Sequence, residues 1–573
     1  HLWTIAPRLD YQLNATNTLV MRYSHSDNSN TGGVGQFNLP SQETVAHTKN
    51  NVAQITETAI LGTKAIDETR FQFGDNHTNQ AGTGDSSIPG INVASSFNSG
   101  GSPMSSNFTH TRSYELQNIL TLTHGAHTIK AGGRLRQSDL DSRSTSNFNG
   151  SYTFGTPSAS AACLSGIGNP TSLDLYRQTE ILLAQGMPMS AILASGCGPT
   201  QFTLSGGIPE QSVRQLDLGL FVQDDWRVRP NLTVSAGLRY ETQNNIHDHR
   251  DFAPRLSIAW SPMAKANRPS KTVIRAGWGV FYDRFDLSDT LLALRFNGVN
   301  QANYVINSGT AGATPQALAA LGYFPAAPPV SLLNLQNQAL YVVDKNFHAP
   351  YMMQTAVGVD RTLPWKTSLS VNFVQTRGLD VLRTRDINAY LPGTYTGPGT
   401  GVRPYSTDND IYLFESSGMF KQTQLIMNVS NRLSSHLQLQ GYYVYGQAHS
   451  NANGFPMDQY NADQDWGRSN YDIRQRAFIG GSVGLPFKWV AAPFITMSSG
   501  APFNITTGGA FNGSGIFNAR PTFATSASNA KSVYATPWGN FNINPVSGET
   551  LIPYNYGEGP GQFSVNMRLS RTW

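Results

Sequence analysis

LDLGLFVQDDWRVRPNLTVSAGLRYE, residues Leu216–Glu241, decides the fold. Taken every second residue, Leu216, Leu218, Leu220, Val222, Trp226 and Val228 fall on one face, and Asp217, Gly219, Gln223, Asp225 and Arg227 on the other. Phe221 and Asp224 break the pattern. After Pro230-Asn231 the alternation resumes, with Leu232, Val234, Ala236, Leu238 and Tyr240 opposite Thr233, Ser235, Gly237, Arg239 and Glu241. Side chains alternate across a strand with period two, so this stretch is a hairpin of two long strands with one apolar and one polar face. Each arm exceeds the usual strand of about five or six residues and reaches the roughly nine to eleven tilted residues that cross a bilayer as β-structure. A soluble hairpin shows the same alternation, so one copy decides nothing, and many copies would decide it.

The pattern recurs along the whole chain. Trp3, Ile5, Leu9, Tyr11 and Leu13 alternate with Thr4, Arg8, Asp10 and Gln12, turn at Asn14–Asn17, and return through Leu19, Met21 and Tyr23. A pair near Val52–Leu61 and Ile66–Asn76 is less regular, because Glu57 falls among the apolar positions. Tyr114–Leu122 turns at Gly125-Ala126 into Ile129–Leu135, and Leu256–Trp260 turns through Pro262–Ser270 into Ile274–Tyr282. Further hairpins are predicted near Met352–Leu363 with Ser368–Gln375, Thr423–Leu433 with Leu437–Gln447, and Ala477–Leu485 with Trp489–Met497. Phe563, Val565, Met567 and Leu569 close the series, which comes to about seventeen strands.

Turns of a few residues alternate with loops of tens of residues, as in transmembrane β-barrels. Arg8, Arg22, Arg134, Arg136, Arg239, Arg255, Arg275 and Arg568 all fall opposite the aliphatic residues. In a β-sandwich the apolar faces would meet in a core and these charges would face bulk water. In a barrel the apolar faces meet lipid and the charges line the lumen. The number of strands, and Trp226, Tyr240, Trp260, Tyr282, Tyr443, Tyr445 and Trp489 near strand ends as interface girdles would require, favour an all-β, antiparallel transmembrane barrel. The first strand runs into a short turn and the last runs out of a long loop, so the series starts outside, ends inside and is odd, whereas single-chain bacterial barrels have an even count. At least one strand is therefore expected before His1.

The composition agrees. Of 573 residues only 13% are charged and 39% apolar, against typical values of about 25% and 45–50%. Gly, Ser, Thr, Asn and Gln take up the difference, a make-up suited to strands and surface loops. No run of 18 apolar residues exists, which removes a transmembrane helix. A net charge of +4 without a basic, aromatic-interleaved cluster argues against nucleic acid. Cys163 and Cys197 are the only cysteines, both within one insertion of about residues 141–212, whose Leu/Ala-rich middle suggests a short helix. A disulfide between them fits an oxidising compartment, and two unrelated thiols are the alternative.

LFVQDDWRVRPNLTVSAGLRYE, FAPRLSIAWSP (252–262) and VIRAGWGVFYDRF (273–285) resemble the barrel of TonB-dependent outer-membrane receptors, in particular the Oar-like group with a carboxypeptidase-regulatory-like N-terminal domain. SNYDIRQRAFIGGSVGLPF (469–487), SGAPFNITTGGAFNGSGIFNARP (499–521) and YGEGPGQFSVNMRLSRTW (556–573) are similar to that group's late-barrel segments. The resemblance implies a barrel of about 22 strands in the outer membrane of a Gram-negative bacterium, closed by a plug that a TonB complex pulls to admit cargo. The partners it implies are outer-membrane lipid, the plug, the TonB complex and an unidentified small-molecule, glycan or peptide cargo. Neither plug nor regulatory-like domain is found in these residues. In similar proteins a further hairpin follows the LSRTW-like strand; the alternative is that Trp573 is a terminal barrel-assembly aromatic.

No enzymatic constellation or cofactor site emerges. His247-Asp248-His249 lacks a spaced third metal ligand and reads as a polar loop. Gly508–Arg520 has a calcium loop's rhythm, but Ala510, Ser514 and Ala519 offer no charged oxygen. Asp458, Asp463, Asp465 and Asp472, beside Trp466 and Arg468, are candidates for ligand contact at the mouth, or else a solvated loop. The lumenal arginines are the main candidates for touching cargo, and pairing with acids on neighbouring strands or the plug is their structural alternative. Import or export of a large or scarce substrate is the expected function. A passive porin-type channel and a soluble or surface-exposed all-β binding protein are the alternatives. Loops near 78–110, 141–212, 285–349 and 501–561 are expected to set specificity.

Overall fold

The structure, a computed structural model, describes residues 1–157, 161–262, 270–308, 314–397, 400–434 and 437–571. Pro262–Ser270, expected as a turn, lies largely outside them, as does Trp573. Seventeen antiparallel strands form one continuous sheet in chain order. They are β1 (Leu2–Ile5 and Arg8–Asn14), β2 (Asn17–Gly32), β3 (Thr44–Leu61), β4 (Ala65–Gly82), β5 (Asn107–His124) and β6 (His127–Arg143). Next come β7 (Glu210–Arg229), β8 (Leu232–Gln243), β9 (Asp251–Trp260), β10 (Thr272–Tyr282), β11 (Tyr351–Leu363) and β12 (Thr367–Asp386). The last are β13 (Asp410–Ser434), β14 (Leu437–Ser450), β15 (Gln475–Leu485), β16 (Trp489–Ser498) and β17 (Gln562–Arg571). Ala6-Pro7 interrupts β1, and both of its pieces pair with β2. Among the described residues β1 and β17 are each paired on one side only, with β2 and β16.

Local chemistry explains the hairpins. At the first turn the Asn14 side-chain oxygen accepts hydrogen bonds from the Thr16 and Asn17 N–H groups at 2.9 and 3.0 Å, an Asx turn. Arg229 pairs with Leu232 across Pro230-Asn231, where proline supplies the fixed φ of the first turn position. The β7–β8 register places Leu220 opposite Tyr240 and Gly219 opposite Glu241, so the two faces of the opening hairpin are matched across the strands. Phe221 and Asp224 do not shift the register. Phe221 stays on the polar face opposite Gly132 and Arg239, and Asp224 stays on the apolar face, where it meets His127 at 2.7 Å near the turn.

The apolar faces do not form a core. Leu220, Leu256 and Leu569 are 48, 54 and 60% exposed. The register also shows where that face stops being apolar. Met21, Ile55, Phe71, Leu116, Leu135 and Leu218 form one row across β2–β7. The row above it, toward the long loops, is Tyr23, Ala53, Phe73, Tyr114, Gln137 and Leu216. The next row on the same face is His25, Asn51, Asp75, Arg112, Asp139 and Arg214. Aliphatic, then aromatic, then ionic within two steps is the profile of hydrocarbon, interface and water. Arg112 bonds Asp141 and Arg214 bonds Asp139, each at 2.7 Å, on the part of the strands that stands clear of the apolar band. β3, at 18 residues, exceeds by about eight the roughly ten needed to span, so these strands rise about 25 Å along their length beyond the band. Below the aliphatic row Glu57 does lie on the apolar face, in line with Thr69 and Asn118, and Asn118 donates to Asp67 and Thr69.

Replacing Leu256, at the middle of β9, by arginine is expected to lower folding stability in bilayers by about 2–4 kcal/mol, whereas Ser257→Arg on the opposite face changes it by less than about 1 kcal/mol. Urea titration of the protein folded into vesicles, read by heat-modifiable gel mobility, measures both.

Candidate functional site

The polar face is the chemically active one. All eight arginines singled out in the sequence lie on it: Arg8 faces Arg22, Arg134 faces Gly219, Arg136 faces Asp217, Arg239 faces Phe221 and Ala253, Arg255 faces Gly279, Arg275 faces Gly358 and Arg568 faces Ala492. Arg8 bonds Asp10 at 2.7 Å, Arg275 bonds Asp360 at 2.7 Å, and Arg239 pairs with Glu241. Arg70 with Glu115 and Arg284 with Asp217, at 3.1 and 3.0 Å, complete the pairs in this region. Among the described residues Arg22, Arg134, Arg136, Arg255 and Arg568 have no ion-pair partner within reach.

Glycine shapes the wall around them. A Cβ on Gly219 would stand 3.3 Å from the Arg239 guanidinium, and one on Gly279 would stand 3.2 Å from both the Arg255 stem and the Phe281 ring. Glycine at these two places lets the long side chains lie flat along the sheet. The Arg255 guanidinium carbon sits 4.4 Å from the centre of the Phe281 ring. On the far side of the same face Tyr442, Phe478 and Phe494 form an aromatic run with ring centres 5.7 and 5.0 Å apart. Phe221, Phe281, Phe478 and Phe494 were not anticipated. As isolated apolar residues at polar-face positions they register in the sequence only as breaks in the alternation.

The long loops carry the fold's only substantial interior among the described residues. Segments 90–93, 97–100, 151–154, 201–207, 301–307 and 334–335 form a second, six-stranded sheet. Tyr152, Phe154 and Phe202 are fully buried in it, with Ile192 and Leu321 from the helices that cover it. The insertion holds two helices where one was expected, α1 (Ser172–Ala184) and α2 (Met189–Ala194). Thr171 and Asp174 form a reciprocal capping box at the start of α1. α3 (Leu287–Arg295) and α4 (Pro315–Leu321) come from the next long loop. Buried Arg295 fastens this layer to the rim by donating to the Ser142 carbonyl and hydroxyl at 3.1 Å. Cys163 and Cys197 are bonded within it, their Cα atoms 6.0 Å apart.

The four mouth aspartates do not act together. Asp465 is buried against Arg520 at 2.5 Å, and burial pushes the carboxyl up and the guanidinium down from their ordinary values. Asp472 is buried, accepts from the Ala448 N–H, and bonds Arg468 and Arg474 at 2.6 and 3.1 Å. Asp458 caps the Tyr460 N–H, and Asp463 is exposed. Two of the four are thus internal struts of the loop layer. His247-Asp248-His249 also divides: His249 bonds Thr242 at 2.8 Å, while Asp248 reaches His348 and the Ala349 N–H. Among the described residues no group of three His, Cys, Asp or Glu side chains could hold a metal. In the 499–561 loop, hydrogen bonds from Ser528 and Thr522, with others from the Val546 N–H and Asn542, hold the Glu549 carboxyl down at about 2.

A model described as an outer membrane beta barrel domain matches residues 3–250 and 246–573. The chain belongs to that family. Its place is the bacterial outer membrane, so the apolar face meets lipid, the short turns are periplasmic and the loop layer is extracellular. Solved structures share the fold at low identity. The outer membrane transporter YddB from Escherichia coli is 12% identical, with a TM-score of 0.62 over 100% of this barrel and 62% of its own chain. The ferric enterobactin receptor PfeA from Pseudomonas aeruginosa is 11% identical, with a TM-score of 0.53 over 100% of this barrel and 69% of its own chain. The copper transporter OprC is 10% identical, with a TM-score of 0.51 over 99% and 63%. The barrel thus spans about 62% of the length of YddB. No curated protein sequence matches it.

Two outcomes follow. A disulfide closing 34 residues of sequence restrains the unfolded loop by roughly 3–4 kcal/mol. Cys163→Ser with Cys197→Ser is therefore expected to open residues 160–200 to trypsin while the barrel's heat-modifiable mobility stays unchanged. Glu549 lies below its ordinary value of 4.5, so its contribution is complete above about 4.5 and drains away as pH falls toward about 2. Pepsin cleavage within 520–555 should rise across that interval, and in Glu549→Gln should be high throughout it.

Proposed function

We propose that this chain is the channel wall of a TonB-dependent receptor of the Oar-like group, which moves a large or scarce substrate across the outer membrane when a plug in its bore is pulled. The observation that carries this is the width of the wall. Among the described residues seventeen strands already pair in one sheet, and barrel diameter grows with strand number, so the bore is at least as wide as a porin's and has room for a plug. The likeness in fold to YddB, PfeA and OprC supports the same reading. Cargo would enter past the disulfide-braced loop layer and the 499–561 loop and descend along the arginine-bearing wall. No bond-making chemistry is part of this role.

A passive porin-type channel is the competing membrane function, and electrical recording separates the two. The whole natural protein in a planar bilayer is expected to be nearly silent, and mild urea, which unfolds a plug before a barrel, is expected to open large conductance steps. Open channels from the first insertion, with no effect of urea, would contradict the plugged-receptor reading.

A further inference from the structure

Arg255 stands out among the polar-face cations. It makes no hydrogen bond or ion pair among the described residues, and its Nε is buried without a partner. Glu241 on the neighbouring strand is engaged by Arg239, and Asp225, two residues beyond Gln223 on the next strand, accepts from the Gln223 amide at 3.0 Å. Its guanidinium lies over Phe281, which is itself 38% exposed on the polar face. A half-buried guanidinium whose Nε has no partner and an uncovered ring are both unfavourable alone. One occupant relieves both.

The space for it is present. A cleft of about 290 Å³ is bounded by Arg255, Phe281, Gln223, Gln354 and Ser235, with Gly277 and Gly279 as its floor. A second cleft of about 190 Å³ adjoins it through Gln223, Gly237 and Arg255, and adds Phe221, Arg239 and Gln117. The larger is at the low end of ligand-pocket sizes, about 300 to 1,000 Å³, so it suits one ring-sized group and not a whole large cargo. The chemistry is specific. A guanidinium whose carbon lies 4.4 Å from the centre of an aromatic ring can present its N–H edge to a carboxylate in the paired, planar geometry that arginine favours. The glycine floor and the two rings accept a flat body; the Gln223 and Gln354 amide nitrogens donate to Asp225 and Thr376 at 3.0 and 3.5 Å, which leaves their carbonyl oxygens to accept from its polar edges.

We propose that Arg255, Phe281, Gln223 and Gln354 form a subsite in the barrel wall for a planar, conjugated organic carboxylate carried by the cargo. This rests on the reading of the polar face as a transport bore. Its test is an equilibrium measurement without energy coupling, so a negative result removes the subsite and leaves the conductance test of the receptor to stand or fall separately.

Isothermal titration of the whole protein in detergent with benzene-1,3,5-tricarboxylate is expected to show binding at least about five-fold tighter than with cyclohexane-1,3,5-tricarboxylate, which has the same charge but is not flat, and tighter than with inorganic phosphate. Arg255→Gln should weaken the aromatic probe about ten-fold or more, Arg255→Lys less, and Phe281→Leu about three-fold, while Arg361→Gln, on the opposite face, leaves it unchanged. Each variant must keep heat-modifiable mobility, which shows that it has folded. Equal binding by Arg255→Gln and the parent, or no preference for the flat acid, overturns the proposal. So does binding that appears only after urea displaces protein from the bore, because Arg255 would then serve a protein carboxylate and not cargo.

Discussion

A sheet one residue thick that separates hydrocarbon from water is the constraint on which the rest of the structure depends. Every second side chain must satisfy lipid and every other one must satisfy a wet bore, and the backbone between them has no solvent to fall back on. Its N–H and C=O groups must therefore be spent on neighbouring strands, which is why seventeen strands join one ladder with few irregularities. Apolar residues that a soluble protein would bury, such as Leu256 and Leu569, are left facing outward. What counts as the interior of an ordinary domain appears, among the described residues, in the loop layer, where helices cover one side of the second sheet.

The same constraint explains which parts of the fold were legible in the sequence. Period-two alternation gave the strands, their faces and the short turns, and the count of seventeen agrees with the structure. Strand lengths were underestimated. The pair read as Val52–Leu61 and Ile66–Asn76 runs over Thr44–Leu61 and Ala65–Gly82, because beyond the membrane both faces are polar and the alternation vanishes. Glu57 fell on the apolar face as the sequence had suggested, in the company of Thr69 and Asn118, whose polarity also weakened the pattern there.

The site was less legible for a physical reason. Face can be assigned from parity, but partnership depends on register between strands that are distant in sequence. Arg239 and Arg255 looked alike in the sequence, yet one pairs with Glu241 and the other lies unpaired over Phe281. Asp465 and Asp472 looked like an exposed acidic cluster, but Arg520 lies 55 residues beyond Asp465, and no local pattern announced that contact. The second sheet was missed because it is assembled from six short segments of several loops, each too brief to show periodicity. Composition and alternation thus located the wall, and the three-dimensional register was needed to show which of its charges are free.

The account stands on which face touches lipid. Single cysteines carrying nitroxide labels at Leu218, Leu256 and Leu569, and at their neighbours Gly219, Ser257 and Arg568, can be compared in reconstituted bilayers by collision with oxygen and with a water-soluble nickel chelate. The three leucine positions should favour oxygen and their three neighbours the chelate, strand after strand. The reverse order, or no difference between the two sets, would contradict the membrane-spanning barrel and the transport role built on it.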